Sequence, residues 1–171
     1  MSTYTLGPDD GTLSVHTARA GTVAKAGHDL LIVVTAWSAT LDLGDEPSLA
    51  VDADSTSLRV REGTGGMMAL DDGDKANIAK TIDDEVLLRR DISFRSASLE
   101  PEGDGLRVTG DLTLAGRTQP LTFELAVAGG RVTGSALVRQ TEWGMKPFSA
   151  LFGALKVADE VRVEVDAALP G

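Results

Sequence analysis

The chain has 171 residues, of which 16 are Lys or Arg and 26 are Asp or Glu, so its formal net charge is −10. This acidity disfavours nucleic acids and anionic membranes as partners, because the field of the protein repels phosphates. The lack of cysteine excludes disulfides, thiolate metal sites and cysteine nucleophiles. The length and the 42% share of hydrophobic residues predict a single domain over 1–171 with a sizeable core.

The N-terminal part of the chain predicts a cytoplasmic protein built from β-strands. Its first ten residues contain neither a basic nor an apolar leader region, and no stretch of the chain reaches the roughly 20 apolar residues that span a bilayer. We therefore expect no membrane insertion. The upstream strand candidates are residues 11–19, 29–43 and 48–60, and a further one follows an interruption, at 92–100.

The interruption, residues 71–87, has the spacing of a helix. Ile78, Ile82 and Val86 recur at four-residue intervals on one face, and Asp72 or Asp74 supplies an N-cap carboxylate. This predicts one amphipathic α-helix, inserted before the fifth strand and packed over an end or flank of the sheet. A weaker helical candidate, 147–155, begins with a proline, and an irregular apolar loop is the alternative there.

The downstream half alternates apolar and polar residues over 106–114, 121–127, 132–138 and 161–169. A period of two is typical of strands with one face on an apolar interior and the other in water. Glycine-containing turns separate these strands and predict antiparallel hairpins. We therefore expect a mainly β protein: an antiparallel, lipocalin-like β-barrel of about eight strands.

Four passages in a fixed order carry a resemblance to a known family. The first, 74–96, leads from the helix into the strand that begins I-S-F. The second, 108–121, contains G-D-L-T-L-A-G-R-T, the third, 139–145, reads R-Q-T-E-W-G-M, and the fourth, 158–161, reads A-D-E-V. Together they resemble the YceI-like family of lipocalin-like, polyisoprenoid-binding proteins, over nearly the whole chain. The resemblance implies a barrel of about eight strands with a helix, which holds an isoprenoid chain in its apolar lumen.

The alternation and the resemblance together define a candidate ligand site on the inward faces of the downstream strands. Small residues at Gly110, Gly134, Ala136 and Ala167 favour an open lumen, although the same inward faces also fit a solid core. The apolar candidates are Leu112, Leu114, Leu121, Phe123, Leu125, Ala136, Val138 and Trp143, with Phe148, Leu151 and Phe152 as a lid or lip. The polar candidates are His28 and Arg139, each a contact for a ligand head group.

Three functions remain open from the sequence. The first is a lipid-binding or transport protein that carries an apolar ligand, an isoprenoid or isoprenoid quinone, without turnover, metal or other cofactor. The second is an enzyme acting on a lipid-like substrate with His28 as acid–base. The third is a structural or interaction barrel without ligand, for which a homodimer is one form. His16 is expected on an outward or rim face, Arg139 has an ion pair with Glu142 as its structural alternative, and Trp37 fits either an inward or an outward position.

Overall fold

The computed structural model describes residues 3–20, 29–64, 71–103, 105–145, 149–150 and 155–169. Within these ranges the chain forms fourteen β-strands and the α-helix α1, Asp72–Thr81. The strands are β1 (Thr3–Leu6), β2 (Gly11–Thr17), β3 (Arg19–Ala20), β4 (Asp29–Val34), β5 (Trp37–Asp42), β6 (Ser48–Ala53), β7 (Leu58–Thr64), β8 (Ile92–Glu102), β9 (Gly105–Leu114), β10 (Arg117–Ala128), β11 (Arg131–Arg139), β12 (Ser149–Ala150), β13 (Leu155–Val157) and β14 (Glu160–Ala168).

Eleven of these strands form one curled sheet, in the order β1-β5-β6-β8-β9-β10-β11-β14-β2-β4-β7. The other three form a small sheet, β12-β13-β3. Every described strand pair is antiparallel. The prediction of a mainly β, antiparallel protein is therefore confirmed. The main sheet has eleven strands among the described residues, rather than about eight.

The larger strand count comes mainly from a kinked hairpin. Each of the two long predicted strands, 29–43 and 48–60, is divided in the structure, into β4 and β5 and into β6 and β7 respectively. A 3-10 turn, Ser55–Ser57, interrupts the second strand. The Thr35 N–H donates to the Ser57 carbonyl at 2.9 Å, so the hairpin remains hydrogen-bonded across the kink. Strand β1 was not predicted at all.

This kinked hairpin connects the two ends of the sheet order. Strand β4 pairs with β2 and β7, while β5, only two residues further along the chain, pairs with β1 and β6. The two halves of one hairpin therefore lie near opposite ends of the sheet, with β5 and β6 next to β1 at one end and β4 and β7 at the other. The sheet must curl to bring these ends together. The curl gives the sheet an inner and an outer face.

The downstream strands follow the predicted alternation and hairpins. Strands β9 and β10 meet with Leu114 opposite Arg117, and β10 and β11 with Ala128 opposite Arg131. The second turn consists of two glycines, Gly129 and Gly130, with φ of 60° and 75°. Two successive positive φ values define the hairpin turn whose twist matches that of the strands, and glycine adopts them without steric cost.

Helix α1 begins with a reciprocal capping arrangement. The Asp71 carboxylate accepts from the Asp74 N–H at 2.7 Å, and the Asp74 carboxylate accepts from the Asp71 N–H at 3.1 Å. The N-cap is therefore Asp71 rather than the predicted Asp72 or Asp74, because Asp74 occupies the third helical position of the capping box. The helix continues as one π-helical turn, Ile82–Val86.

The helix lies between β7 and β8, before the eighth strand of the chain instead of the fifth, as the greater number of upstream strands requires. Its Ile78, Ile82 and Val86 pack against the core, as their spacing predicts. Of the second helical candidate, 147–155, the structure describes only residues 149–150 and 155, which belong to strands β12 and β13. The remainder of that candidate lies outside the described residues.

The turn at the kink predicts a specific acid sensitivity. The Asp54 carboxylate accepts hydrogen bonds from the Thr56 hydroxyl at 2.6 Å and the Thr56 N–H at 2.8 Å, and these bonds lower the pKa of Asp54 below its ordinary 3.8. A lowered folded-state pKa stabilises the fold above the unfolded value, and this stabilisation is lost as the pH falls through the folded value. In urea titrations from about pH 5 to about pH 2, the difference in stability between wild type and Asp54→Asn should therefore shrink below pH 3.8. A difference that stays constant across this range would contradict the assignment.

Candidate functional site

The curled sheet and the helix enclose a cavity of about 560 Å3. This volume falls within the roughly 300–1,000 Å3 that is typical of small-molecule sites. The walls are the inner faces of the main sheet, and the helical segment covers part of the volume with Ile78, Ile82, Val86 and Leu87. The structure therefore has open space where a solid core was the alternative.

The predicted lumen residues of the downstream strands lie together on this cavity. Alternation of side chains along β9, β10 and β11 directs every second residue to the inner face. The cavity is lined by all seven of the predicted strand residues, Leu112, Leu114, Leu121, Phe123, Leu125, Ala136 and Val138. The one aromatic ring among them, Phe123, packs against Phe94 of β8, with the two ring centres 5.3 Å apart.

The upstream strands contribute residues that the sequence analysis did not assign to the site. Leu13 and Val15 of β2 and Trp37, Ala39 and Leu41 of β5 line the same cavity. Both sets alternate with polar residues, so the signal that identified the downstream strands was present here also. In β5 the prediction of one long strand over 29–43 obscured this signal, because the kink between β4 and β5 shifts the alternation by one residue.

No charged side chain lines the cavity among the described residues; its polar lining consists of Thr17, Asn77, Thr81, Ser135 and Gln140. On the outer face, polar and charged side chains form cross-strand pairs. Arg95 contacts Asp52 at 2.9 Å and His16 contacts Glu164 at 3.1 Å. His16 is thus outside the cavity, as expected, while its neighbour Val15 lines it.

Hydrogen bonds fix the helical segment to the kinked hairpin. The Ser55 hydroxyl donates to the Asp83 carboxylate at 2.7 Å, and the Ser55 N–H donates to the Asp91 carboxylate at 3.2 Å. Ser55 is buried in the 3-10 turn, and Asp83 and Asp91 follow α1. These contacts hold the helical residues over the cavity.

Strands β10 and β11 stop pairing with each other part of the way along the cavity wall. The two strands pair from the turn up to Glu124 and Ser135, and beyond these residues β10 pairs only with β9 and β11 only with β14. Ser135 is exposed and also lines the cavity. On the helix, Asn77 likewise is both exposed and part of the lining. Asn77 and Ser135 are therefore the exposed members of the polar lining.

The small residues do not all leave empty space. Gly134 and Ala136 line the cavity, whereas Gly110 and Ala167 do not. A Cβ at Gly110 would lie 2.4 Å from the Arg95 carbonyl oxygen, so that glycine permits close strand packing. Ala167 is fully buried in the core.

Trp143, predicted to bind ligand, does not line the cavity. It ends the 3-10 turn Gln140–Trp143, is 2% exposed, and donates its indole N–H to the Leu112 carbonyl at 2.7 Å. Its polar group is therefore already bonded within the protein. The structure places this side chain in the core, where it links the turn to strand β9.

Arg139 also lies outside the cavity. Its side chain is 65% exposed and contacts Glu160 at 3.8 Å, because these two residues face each other across β11 and β14. The expectation that Arg139 points inward and holds a ligand head group is therefore not met. Its ion-pair partner is Glu160 rather than the expected Glu142. The cause is the alternation itself, which places Val138 inward and Arg139 outward.

Trp37 is the tryptophan that faces the cavity. It is 7% exposed and lines the cavity at the start of β5. Its indole Nε1 is buried and has no hydrogen-bond partner among the described residues. The sequence left its orientation open, and the structure places it inward.

Several predicted residues lie outside the part of the chain that the structure describes: His28, Phe148, Leu151 and Phe152. Within the described residues, no group of three or more potential metal-ligating side chains comes together. No helix of the described chain is long and apolar enough to cross a membrane.

Comparison with known proteins places this geometry in a family. The family model "YceI-like domain" matches residues 4–169. No curated protein matches the chain significantly in sequence. The structure is similar to that of BcnA from Burkholderia cenocepacia, with a TM-score of 0.66 and 18% identity, covering 94% of this chain and 96% of that one.

A second similar structure is a mutant of the YceI protein of Campylobacter jejuni that contains a monobromobimane guest. It has a TM-score of 0.62 and 14% identity, and covers 82% of this chain and 85% of that one. At these identities the structures establish a shared fold, and the family match extends over almost the entire sequence. The chain belongs to the YceI-like family.

Proposed function

We propose that this protein binds and carries an apolar small molecule in the cavity, an isoprenoid or isoprenoid quinone, without chemically altering it. The observation that carries the proposal is the cavity of about 560 Å3 with a lining in which no described residue is charged. Such a lining offers long apolar chains a surface that excludes water. Membership of the YceI-like family supports the same proposal.

Burial of the chain supplies the affinity. Each methylene group transferred from water into an apolar site contributes about 0.8 kcal/mol. Ordering of the ligand and loss of its free motion offset part of this gain. A chain of many methylene and methyl groups therefore binds through its length alone, and needs no ionic contact.

The chemistry of the lining supports the proposal of binding without turnover. Thr17, Asn77, Thr81, Ser135 and Gln140 are neutral near pH 7 and are not efficient general acids or bases. Among the described residues that line the cavity, none is titratable near neutral pH. The cavity therefore supplies an apolar environment for the ligand, bordered by the exposed polar residues Asn77 and Ser135.

The test is to identify what the purified protein contains. Native mass spectrometry followed by solvent extraction should recover one apolar molecule per chain. Protein stripped of lipid should then bind geranylgeraniol, a C20 isoprenoid alcohol, with a stoichiometry of one. A protein that carries no extractable lipid and binds neither geranylgeraniol nor a straight-chain C20 alcohol would overturn the proposal.

Two controls separate a site from nonspecific adsorption. Bound geranylgeraniol should remain with the protein during gel filtration, and should be unmodified when it is recovered. Recovery of a chemically altered product would contradict binding without turnover, while leaving the cavity as the site.

A further inference from the structure

The unpartnered indole of Trp37 is the feature of the cavity that apolar burial does not explain. Trp37 is 93% buried, since 7% of it is exposed, yet its N–H has no partner among the described residues. Buried polar groups in proteins are hydrogen-bonded in the large majority of cases, because a buried donor without an acceptor loses the bond it makes with water. An exception at a cavity wall leaves a donor that a ligand in the cavity can satisfy.

Trp143, the second tryptophan, has an indole N–H that is hydrogen-bonded within the protein. The Trp143 N–H donates to the Leu112 carbonyl at 2.7 Å within the core. Two hydroxyl groups of the kink donate to backbone carbonyls, and neither accepts from the Trp37 indole. Thr35 donates to the Ser57 carbonyl and Ser57 donates to the Asp54 carbonyl, each at 2.7 Å.

The surroundings of Trp37 leave room for a ligand. Trp37 pairs with Ala53 across the hairpin, and Ala39 follows it on the same face of β5. Both alanines line the cavity, so small side chains flank the indole. The nitrogen itself has essentially no exposed surface, so contact with an acceptor in the cavity requires the indole ring to rotate.

The lack of charged side chains in the described lining restricts the chemical class of the acceptor. A carboxylate or phosphate buried beside Trp37 would need a cation, and no described lining residue is charged. A carbonyl oxygen carries no net charge and accepts a hydrogen bond from an indole N–H. We propose that Trp37 is the polar anchor of the cavity, donating its indole N–H to an uncharged oxygen, such as a ketone or quinone carbonyl, of a long apolar ligand. This inference rests on the proposed binding function, and selects the carbonyl-bearing isoprenoids within it.

The primary test uses wild-type protein and a matched pair of ligands. One is farnesylacetone, an isoprenoid ketone, and the other is the hydrocarbon of the same skeleton without the oxygen. The chain has two tryptophans, so an NMR spectrum of 15N-labelled protein contains two indole N–H signals. The ketone should move the proton signal of Trp37 downfield, as a new hydrogen bond does, and the hydrocarbon should not. The signal of Trp143, bonded to Leu112, should stay in place with both.

A variant supplies the second measurement. Trp37→Phe keeps an aromatic ring and removes the donor, and its folding is checked by the remaining Trp143 signal. The substitution should lower the affinity for the ketone roughly tenfold more than it lowers the affinity for the hydrocarbon, so the ratio of the two affinities reports the lost hydrogen bond.

The outcomes separate this inference from the proposed function. If wild-type protein binds neither farnesylacetone nor the hydrocarbon, the proposed function fails. If both bind, but the ketone leaves the Trp37 signal unmoved or Trp37→Phe binds the ketone as tightly as wild type does, the anchor is overturned and apolar binding stands. If the variant does not fold, the wild-type spectra alone decide.

Discussion

Replacing Trp143 by Ala is expected to lower the free energy of unfolding by about 3–5 kcal/mol, as large aromatic truncations in well-packed cores do. Trp143 is among the largest fully buried side chains, and it joins two separate parts of the fold. Its turn is bonded to Asp159, which precedes β14, through the Gln140 N–H, and to β9 through the indole. Loss of the ring leaves a void and removes the link to Leu112. Since domains are stable by only about 5–15 kcal/mol, the melting temperature should fall markedly.

The conservative variant Trp143→Phe divides this loss into two parts. It retains much of the ring but leaves the Leu112 carbonyl without the indole donor, so a smaller loss of about 1–3 kcal/mol is expected. Urea titrations of wild type and both variants provide the measurement. If Trp143→Ala has the same free energy of unfolding as wild type, the Trp143 side chain does not stabilise the core.

Replacing Ala136 by Trp is expected to reduce the affinity for an apolar ligand at least tenfold. Ala136 lies on the inner face of β11 and is only partly buried, so its side chain borders empty volume instead of packed neighbours. An indole at this position occupies space that the ligand needs. Titration with N-phenyl-1-naphthylamine, an uncharged dye whose emission rises in apolar surroundings, measures the change.

The matched control is Ala128→Trp. Ala128 is exposed at the end of β10, beside the turn, and does not line the cavity. The same increase in side-chain size should leave dye binding within about twofold of wild type, because an isolated apolar side chain on the surface is tolerated. Overpacking costs about 1–3 kcal/mol, so circular dichroism must first show that Ala136→Trp is folded. Equal binding by the two variants would place the dye outside the cavity.

The downstream half of the site was predictable because its signal is local. In β9, in β11 and over most of β10 an apolar residue or glycine recurs at every second position, although Ala126, Ala128 and Leu137 place apolar side chains on the outer face as well. Glycine-containing turns fix the register between neighbouring strands. Leu112 and Phe123 could therefore be assigned to one interior from the sequence alone. Arg139 was misassigned as an inward contact even though the same alternation, counted from Val138, directs it outward.

The upstream half depends on contacts that no local pattern encodes. The kink at Ser55–Ser57 is stabilised by Asp83 and Asp91, which lie some thirty residues away along the chain. Nor does the sequence show which tryptophan is bonded within the protein. The Trp143 indole donates to the Leu112 carbonyl, whereas Trp37 lines the cavity and its indole has no partner among the described residues. Both environments are set by tertiary packing.

The position of β14 between β11 and β2 has a consequence for how this protein folds. Gly11 of β2 lies opposite Ala167 of β14, so the sheet is completed by strands from opposite ends of the sequence. Such pairing has a large loop-closure entropy and is slow to form. During synthesis the pairing of β2 with β14 can form only after β14 has left the ribosome, so this part of the sheet is completed in a late step.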